Sequence, residues 1–119
     1  MLEIVNEELV GKSIGEITFM ARSGNMYAQY EFGRLNGSPE IGVYYLQKAA
    51  KQGLMQAQKQ LGLIYMNGWV YKDMYDKKEP ADRIEIDITK AKYWLNKSAK
   101  QGDEESKLLL KKLKETSKV

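Results

Sequence analysis

The residue types best suited to molecular recognition are concentrated in one stretch, residues 68–87, where aromatic and acidic side chains alternate at short intervals. Trp and Tyr are over-represented among the residues that dominate binding at protein interfaces, and carboxylates favour a basic partner. We therefore predict that this stretch binds a partner protein, through Trp69, Tyr71, Asp73, Tyr75, Asp76, Glu79, Asp82 and Glu85. The alternative is a solvated loop whose Trp69 and Tyr71 pack back onto the domain.

Most catalytic chemistries lack their residues in this chain. It contains no Cys and no His, which excludes disulfides, thiolate nucleophiles, imidazole bases and the usual zinc or copper sites. The carboxylates of residues 68–87 invite comparison with a calcium-binding loop, but the central Gly and the ligand order are missing. We also find no phosphate-binding loop and no nucleophile–base pair. The sequence predicts a protein that is not an enzyme and that uses no metal or cofactor.

Charge is distributed unevenly along the chain. The net charge is only +3, but residues 1–21 hold one Lys against four Glu, whereas residues 88–119 hold nine Lys against four acids. A Lys-rich end can contact RNA or an anionic surface. Because acids stand among these Lys residues, we treat nucleic-acid binding as the disfavoured alternative.

The N-terminus and the hydropathy pattern bear on location. The longest apolar runs are only a few residues, too short to span a membrane. The first residues are acidic, where a secretory signal would be basic. These features predict a cytoplasmic protein, unless a leader has been removed. At 119 residues the chain has room for one domain with a modest core.

An internal repeat determines the fold prediction. Ala-Lys-Gln-Gly at residues 50–53 recurs at residues 99–102, and a weaker copy, Ala-Arg-Ser-Gly, stands at residues 21–24. Four positions after each Gly comes a small residue: Ala28, Ala57 and Ser106. Gly at the end of each copy is typical of a helix terminus, since Gly adopts the left-handed conformation without a Cβ clash. The pattern therefore predicts an all-α chain built from helix pairs.

Capping residues support six predicted helices, at residues 7–22, 25–36, 40–51, 54–66, 88–101 and 104–116. Ser38 followed by Pro39 is typical of a helix start, and Asp87 is a predicted cap of a later helix. Gly11 and Gly15 weaken the first helix, so a short helix after an irregular arm stays open. The aromatic pairs Tyr44–Tyr45 and Tyr93–Trp94 are predicted to lie mostly in the core.

The second unit resembles the Sel-1-like repeat. The residues that carry the resemblance are Ala57-x-x-x-Leu61-Gly62-x-x-Tyr65-x-x-Gly68-x-Val70 and Asp87-x-x-Lys90-Ala91-x-x-Trp94-Leu95-x-Lys97-Ser98-Ala99-x-x-Gly102. The resemblance covers roughly residues 20 to 113. It implies a short right-handed α/α superhelix, similar to tetratricopeptide arrays, and a role in protein–protein interaction.

The predicted organisation is a single domain of about two and a half helix-pair repeats. An N-terminal arm and half-repeat helix occupy residues 1–23, a short repeat residues 24–53, a longer repeat residues 54–102, and a capping helix residues 103–119. The spacings depart from the family in opposite directions, because Gly24 to Gly53 is 29 residues and Gly53 to Gly102 is 49. The long inserted loop at residues 68–87 accounts for the second departure. Such loops in small domains are often functional.

The family resemblance also places a concave groove between equivalent helices. Its predicted partner-binding residues are Tyr27, Glu31, Arg34 and Lys59, with Tyr30, Met55, Gln56, Gln60 and Met66 beside them. The alternative for each aromatic or Met residue is a place in the core. Whether the groove or the inserted loop is the interface stays open.

The short array with its unusual insertion looks like small repeat proteins paired with bacterial contact-dependent or type VI toxins. By this analogy we predict an immunity protein that binds and neutralises a cognate toxin, with a basic toxin domain as partner. The alternative is an adaptor or scaffold in a signalling or envelope complex. A homodimer that buries an open end of the array is a further possibility.

Overall fold

The structure is a computed structural model that describes residues 6–70 and 83–116. Its elements in chain order are a short 3-10 helix at Glu7–Leu9, α1 at Ile14–Arg22, α2 at Met26–Leu35, α3 at Pro39–Lys51, α4 at Met55–Asn67, β1 at Trp69–Val70, β2 at Arg83–Ile84, α5 at Ile88–Lys100 and α6 at Glu104–Thr116. The all-α prediction is confirmed. The first predicted helix is too long: Gly11, at φ +83°, separates the 3-10 helix from α1.

Side-chain caps begin most of the helices, as the sequence predicts. The Ser38 hydroxyl accepts a hydrogen bond from the Ile41 N–H, with Pro39 in the first helical turn. The Asp87 carboxylate accepts from the Lys90 N–H at 3.1 Å and starts α5. At the C-terminal ends of α3 and α5, Gly53 and Gly102 have φ near +100°, which confirms their predicted role in helix termination.

The six helices form two series that alternate along the chain. Neighbouring helices in sequence pack against each other, and α2 also contacts α4 directly. Among the described residues, no contact of that extent joins α1 to α3, α3 to α5 or α4 to α6, but the Lys59–Glu105 ion pair links α4 to α6. Helices on the inside of a curve lie closer together than those outside. We therefore call the surface of α2, α4 and α6 the inner face and that of α1, α3 and α5 the outer face.

The core lies between the two series. Leu46, Leu61 and Leu95 are fully buried at its centre. Burying a side chain of this size contributes about 1.5–3 kcal/mol. A second cluster at the N-terminal end contains Leu9, which packs with Ile17 of α1. The 3-10 helix thus covers the end of the array where no earlier repeat is present in the described structure.

Glutamine side chains tie each repeat to the one before it, in an arrangement we call the glutamine clamp. In the first clamp Gln29 donates to the Ala21 carbonyl at 3.2 Å, and Gln52 donates to the Gln29 side-chain oxygen at 2.8 Å. In the second clamp Gln58 donates to the Ala50 carbonyl at 3.1 Å, and Gln101 donates to the Gln58 oxygen at 2.8 Å. These bonds add a second donor to helix-end carbonyls that already accept from the Gly24 and Gly53 N–H groups.

The aromatic pairs are only partly in the core. Trp94 is 7% exposed and Tyr45 is half-buried, but Tyr44 is 54% and Tyr93 is 55% exposed, so the prediction was wrong for those two tyrosines. Adjacent residues on a helix point in directions about 100° apart, and only the second of each pair faces the core. Each exposed ring instead makes an edge-on contact with its buried neighbour.

The last helix departs from its equivalents on the side where a further helix would pack. Counting from Gly53 and Gly102, the positions of Gln58, Gly62 and Tyr65 in α4 are taken in α6 by Lys107, Lys111 and Lys114. All three lysines are exposed, whereas Leu113 is buried against the core. A lysine surface suits the solvated end of a repeat array. None of the described helices combines the length and apolarity required to cross a bilayer.

Candidate protein-interaction site

The inserted segment begins and ends as a small antiparallel ladder, in which Trp69 pairs with Ile84 and Val70 with Arg83. The sequence analysis did not foresee these two strands. Gly68, at φ +77°, turns the chain out of α4, and the Asp87 N–H donates to the Tyr65 carbonyl at 2.8 Å where the chain returns. Both ends of the insertion are therefore fixed to α4.

Trp69 packs back onto the helices. Its indole ring lies against the backbone of Gly42 in α3, in the space that a Cβ atom would fill. The ring is partly buried and contacts the main core. A residue larger than Gly at position 42 would therefore displace the indole. Trp69 therefore lies as the alternative interpretation of the sequence predicts, packed back onto the domain. The side chain is only partly buried, so part of it remains accessible.

Trp69 also lines a cavity of about 330 Å³, which we call the junction cavity. Its walls come from the ends of α2 and α4 and from β1: Arg34, Gln60, Leu63, Ile64, Asn67, Gly68 and Trp69. Leu63, Ile64 and Trp69 provide apolar surface, whereas Arg34, Gln60 and Asn67 provide polar groups. The cavity brings together Arg34 from the predicted groove and Trp69 from the inserted segment.

Arg34 is held in place by the residue one turn before it. Its Nε and Nη2 atoms lie 2.9 and 2.7 Å from the same carboxylate oxygen of Glu31. Its guanidinium also lies 5.7 Å from the centre of the Tyr30 ring. Glu31 is only 1% exposed, so the structure does not present it on the surface as the sequence analysis predicted. Its carboxylate instead fixes the Arg34 side chain and balances its charge.

Lys59 is also paired. Its ammonium lies 3.1 Å from the Glu105 carboxylate and connects α4 to α6 across the inner face. The hydrogen bond to Glu105 raises the pKa of Lys59, so the ammonium form is favoured. Burial raises the pKa of Tyr30, and the nearby charge of Arg34 opposes that shift. The two inner-face cations predicted as partner-binding residues thus have carboxylate partners within the molecule.

The remaining predicted residues fall into three groups. Tyr27 is half-buried against the core, beside the groove rather than in the junction cavity. Glu85 is exposed and pairs with Arg83 at 2.7 Å. The others lie outside the described residues: Tyr71, Asp73, Tyr75, Asp76, Glu79 and Asp82.

Sequence reasoning missed Leu63 and Asn67. A signal for Leu63 was present, because it follows Gly62 as Arg34 follows Gly33, and Arg34 was a predicted groove residue. Nothing in the repeat pattern marks Asn67, whose role depends on the path of the insertion. Chemically, the junction cavity combines the apolar side chains of Leu63, Ile64 and Trp69 with amide and guanidinium groups. This arrangement suits the binding of a partner's side chain.

Within residues 6–70 and 83–116, no three His, Cys, Asp or Glu side chains gather in a metal-binding arrangement.

A comparison with known families explains the two-series architecture. The sequence model of the Sel1 repeat matches residues 20–54, 56–77 and 80–103, more than half of the chain. No curated protein matches the sequence of this chain. Sel1 repeats are protein–protein interaction modules and are generally without catalytic activity. The repeated glycines, the paired helices and these matched segments together show that the chain belongs to the Sel1 repeat family.

Proposed function

We propose that this protein binds a partner protein at the junction cavity, and that the partner is a toxin which the protein neutralises as an immunity protein. The observation that carries the location is that Arg34 and Trp69 line one cavity. The sequence alone left the groove and the insertion as competing interfaces. In this proposal they form one surface, since the cavity lies where the two meet.

The cavity suits a single anchoring side chain of the partner. Its volume of about 330 Å³ is at the low end of typical ligand pockets, and Leu63, Ile64 and Trp69 give it apolar surface. An aliphatic or aromatic anchor would displace water from Leu63 and Trp69. Gln60 and Asn67 would meet the polar backbone around that anchor. Because Glu31 and the core fix Arg34 and Trp69, little conformational entropy would be lost on binding.

The toxin assignment draws on the charge of the inserted segment. Residues 68–87 contain six acidic and four basic side chains, whereas the predicted inner-face cations are paired internally. The attraction for a basic toxin domain would therefore come from the insertion, with Asp73, Asp76, Glu79, Asp82 and Glu85 as the proposed contacts. Such charges mainly accelerate and select the encounter. A cytoplasmic location belongs to the same proposal, because an immunity protein meets its toxin where the toxin acts.

The test is growth rescue in cells that express candidate toxins taken from the neighbourhood of this protein's gene. The wild-type protein should restore growth. Leu63→Arg should abolish rescue, because it fills the junction cavity with a charged side chain while copying the residue found at the equivalent position of α2. Tyr93→Ala, on the outer face, should rescue like the wild type. Failure of the wild-type protein to rescue, when it is present at normal levels, would refute the immunity role.

An adaptor in a signalling or envelope complex is the second candidate. The observation that favours it is that α3 and α5 expose aromatic side chains that do not line the junction cavity, namely Tyr44 and Tyr93. An adaptor needs two separate surfaces, whereas a neutralising protein needs one. Binding of a non-toxin partner at the cavity, without growth rescue, would favour the adaptor. Homodimer formation also remains a prediction, which sedimentation at several concentrations would test.

A further inference from the structure

The outer face carries a regular row of exposed side chains. On α3 and α5 the row follows helical positions i, i+3, i+7 and i+10, and its members are Ile41, Tyr44, Lys48 and Lys51, and Lys90, Tyr93, Lys97 and Lys100. Phe19 and Arg22 occupy the last two of these positions on α1 and are also exposed. Because residues at this spacing lie on one side of a helix, we call the three rows the outer stripe.

The outer stripe is strongly basic. Six of its ten residues are cations, and none is acidic: Arg22, Lys48, Lys51, Lys90, Lys97 and Lys100. No carboxylate of the described residues lies within ion-pair distance of these six. The inner face differs, since Arg34 and Lys59 both have carboxylate partners there. Among the residues that the structure describes, these six cations thus differ from Arg34 and Lys59 in having no carboxylate at ion-pair distance.

The other four residues of the stripe are apolar or aromatic, and two of them are held in position. The Tyr44 ring meets the Tyr45 ring edge-on at 5.1 Å, and the Lys48 ammonium lies 4.9 Å from its centre. Tyr93 repeats the arrangement with Trp94 at 4.9 Å and Lys97 at 5.1 Å. Exposed aromatic rings that are already ordered lose little entropy on binding. The two repeats therefore present the same rigid Tyr–Lys pair.

One end of the stripe opens into a second cavity, of about 450 Å³. Tyr44 and Ile41 form one wall, and Arg22 and Phe32 contribute from α1 and α2. Glu40, an acidic residue outside the stripe, also lines this cavity. Apolar surface beside these cations suits a segment that has both carboxylates and apolar side chains.

We propose that the outer stripe is a second interaction surface, which binds an acidic amphipathic segment of another protein. Carboxylates of that segment would meet Lys48, Lys97 and their neighbours, and its apolar side chains would contact Tyr44, Tyr93 and the second cavity. Single-stranded nucleic acid fits less well. Proteins that bind it use a basic groove that follows the backbone and open ring faces for base stacking. Here the surface lies on the outside of the curve, and a lysine lies over each tyrosine ring.

The test uses a labelled amphipathic helical peptide with a row of Glu beside rows of Leu and Phe, and its binding is followed by fluorescence anisotropy. The wild-type protein should bind this peptide and should not bind a matched peptide with Gln in place of Glu. Lys48→Gln/Lys97→Gln and Tyr44→Ala/Tyr93→Ala should each weaken binding by about tenfold or more. Lys111→Gln/Lys114→Gln is the control, because it removes the same charge from exposed positions on α6.

Several results would overturn the proposal. Equal weakening in the α6 control would show that net charge alone attracts the peptide. Equal binding of the Gln peptide, or no binding of either peptide, would remove the case for an acidic segment. Tighter binding of a single-stranded RNA, with a steep salt dependence, would assign the stripe to nucleic acid. The proposed function is tested separately, since Lys48→Gln/Lys97→Gln should still rescue growth.

Discussion

The two helix pairs of this protein differ greatly in their loops and little in their packing. A turn at residues 36–38 joins α2 to α3, whereas residues 68–87 join α4 to α5. Despite this difference, each pair is tied to the preceding helix by a glutamine clamp whose side chain–side chain bond is 2.8 Å long. In both pairs a Gly of the inner helix lies against a Leu of the outer one.

This comparison shows that buried contacts, rather than loop length, determine how the helices are arranged. An insertion can therefore lengthen one loop without disturbing the array. The pairs do differ at two positions that are buried in both, where α3 has Gly42 and Ala49 and α5 has Ala91 and Ser98. The Trp69 indole occupies the space beside Gly42, which explains why the smaller residue stands there. The insertion therefore affects the packing of the first helix pair as well as the loop of the second.

The largest expected effect comes from adding a side-chain atom at the close contact between α2 and α3. A Cβ added at Gly33 would lie 2.8 Å from the Gly42 carbonyl oxygen, and backbone cannot move aside cheaply. A Cβ added at Gly62 would instead meet the Leu95 side chain at 2.5 Å, which can partly rotate away. We expect Gly33→Ala to lower the free energy of unfolding by about 3 kcal/mol and Gly62→Ala by about 1–2 kcal/mol. Urea denaturation followed by circular dichroism measures both.

Gly15→Ala provides the control for these substitutions. Gly15 lies in α1, where an added Cβ meets only the Ser13 hydroxyl at 3.9 Å. Replacement there should stabilise the protein by up to about 1 kcal/mol, because Ala favours a helix over Gly. If Gly33→Ala proved as harmless as Gly15→Ala, the close approach of α2 and α3 would be wrong.

Removal of Trp69 tests what the insertion adds to the first pair. Trp69→Ala would leave a gap against Gly42, and since the ring is only partly buried we expect a loss of about 2 kcal/mol. Ile84, its ladder partner, offers a comparison on β2. Ile84→Ala should cost less, because the side chain is smaller. An unchanged midpoint of thermal unfolding in Trp69→Ala would mean that the insertion does not support the helices.

The glutamine clamps should contribute equally in the two pairs. Gln29→Ala and Gln58→Ala each remove a buried side chain that donates to a helix-end carbonyl and accepts a hydrogen bond from the next glutamine, Gln52 or Gln101. We expect each to cost about 1–2 kcal/mol, with a difference between the two below about 0.5 kcal/mol. Gln56→Ala, an exposed neighbour on α4, is the control and should be close to neutral. A much smaller cost for Gln58→Ala would mean that the long insertion, rather than the clamp, holds the second pair.

Much of this fold could be predicted because the repeat carries local signals. Gly53, Gly102 and the caps at Ser38 and Asp87 each specify a helix end without reference to distant residues. The glutamine clamps could not be predicted, because their partners lie up to 43 residues apart in the sequence. The burial of Glu31 was missed for a related reason. A Glu followed three residues later by Arg predicts an ion pair but does not say whether that pair is covered.

The candidate site was only half predictable. Trp69 and Arg34 were identified by residue type and by repeat position, but their meeting in one cavity depends on Gly68 and on the return of the chain at Asp87. The β1–β2 ladder was missed because two-residue strands are too short to show a period in the sequence. The contributions of residues 71–82 remain predictions.

The smallest expected effect concerns the ion pair between α4 and α6, which has no counterpart between α2 and α4 among the described residues. The Glu105 carboxylate raises the pKa of Lys59, so the pair contributes fully below the pKa of the unfolded chain. Its contribution is lost as the pH rises through the raised pKa of the folded state. Because the pair is partly exposed, Glu105→Gln should cost less than about 1 kcal/mol at neutral pH. The difference from wild type should vanish in strongly alkaline solution. A difference that persists there would assign the effect to packing.

The claim that recognition occurs at the junction cavity is tested most directly by calorimetric titration of the purified toxin into three forms of this protein. Leu63→Arg should weaken the Kd by about 100-fold, at an unchanged midpoint of thermal unfolding, because the partner's anchor loses its apolar floor. Tyr93→Ala should bind like the wild type. If Leu63→Arg bound the toxin with undiminished affinity while folded, the junction cavity would not be the recognition site.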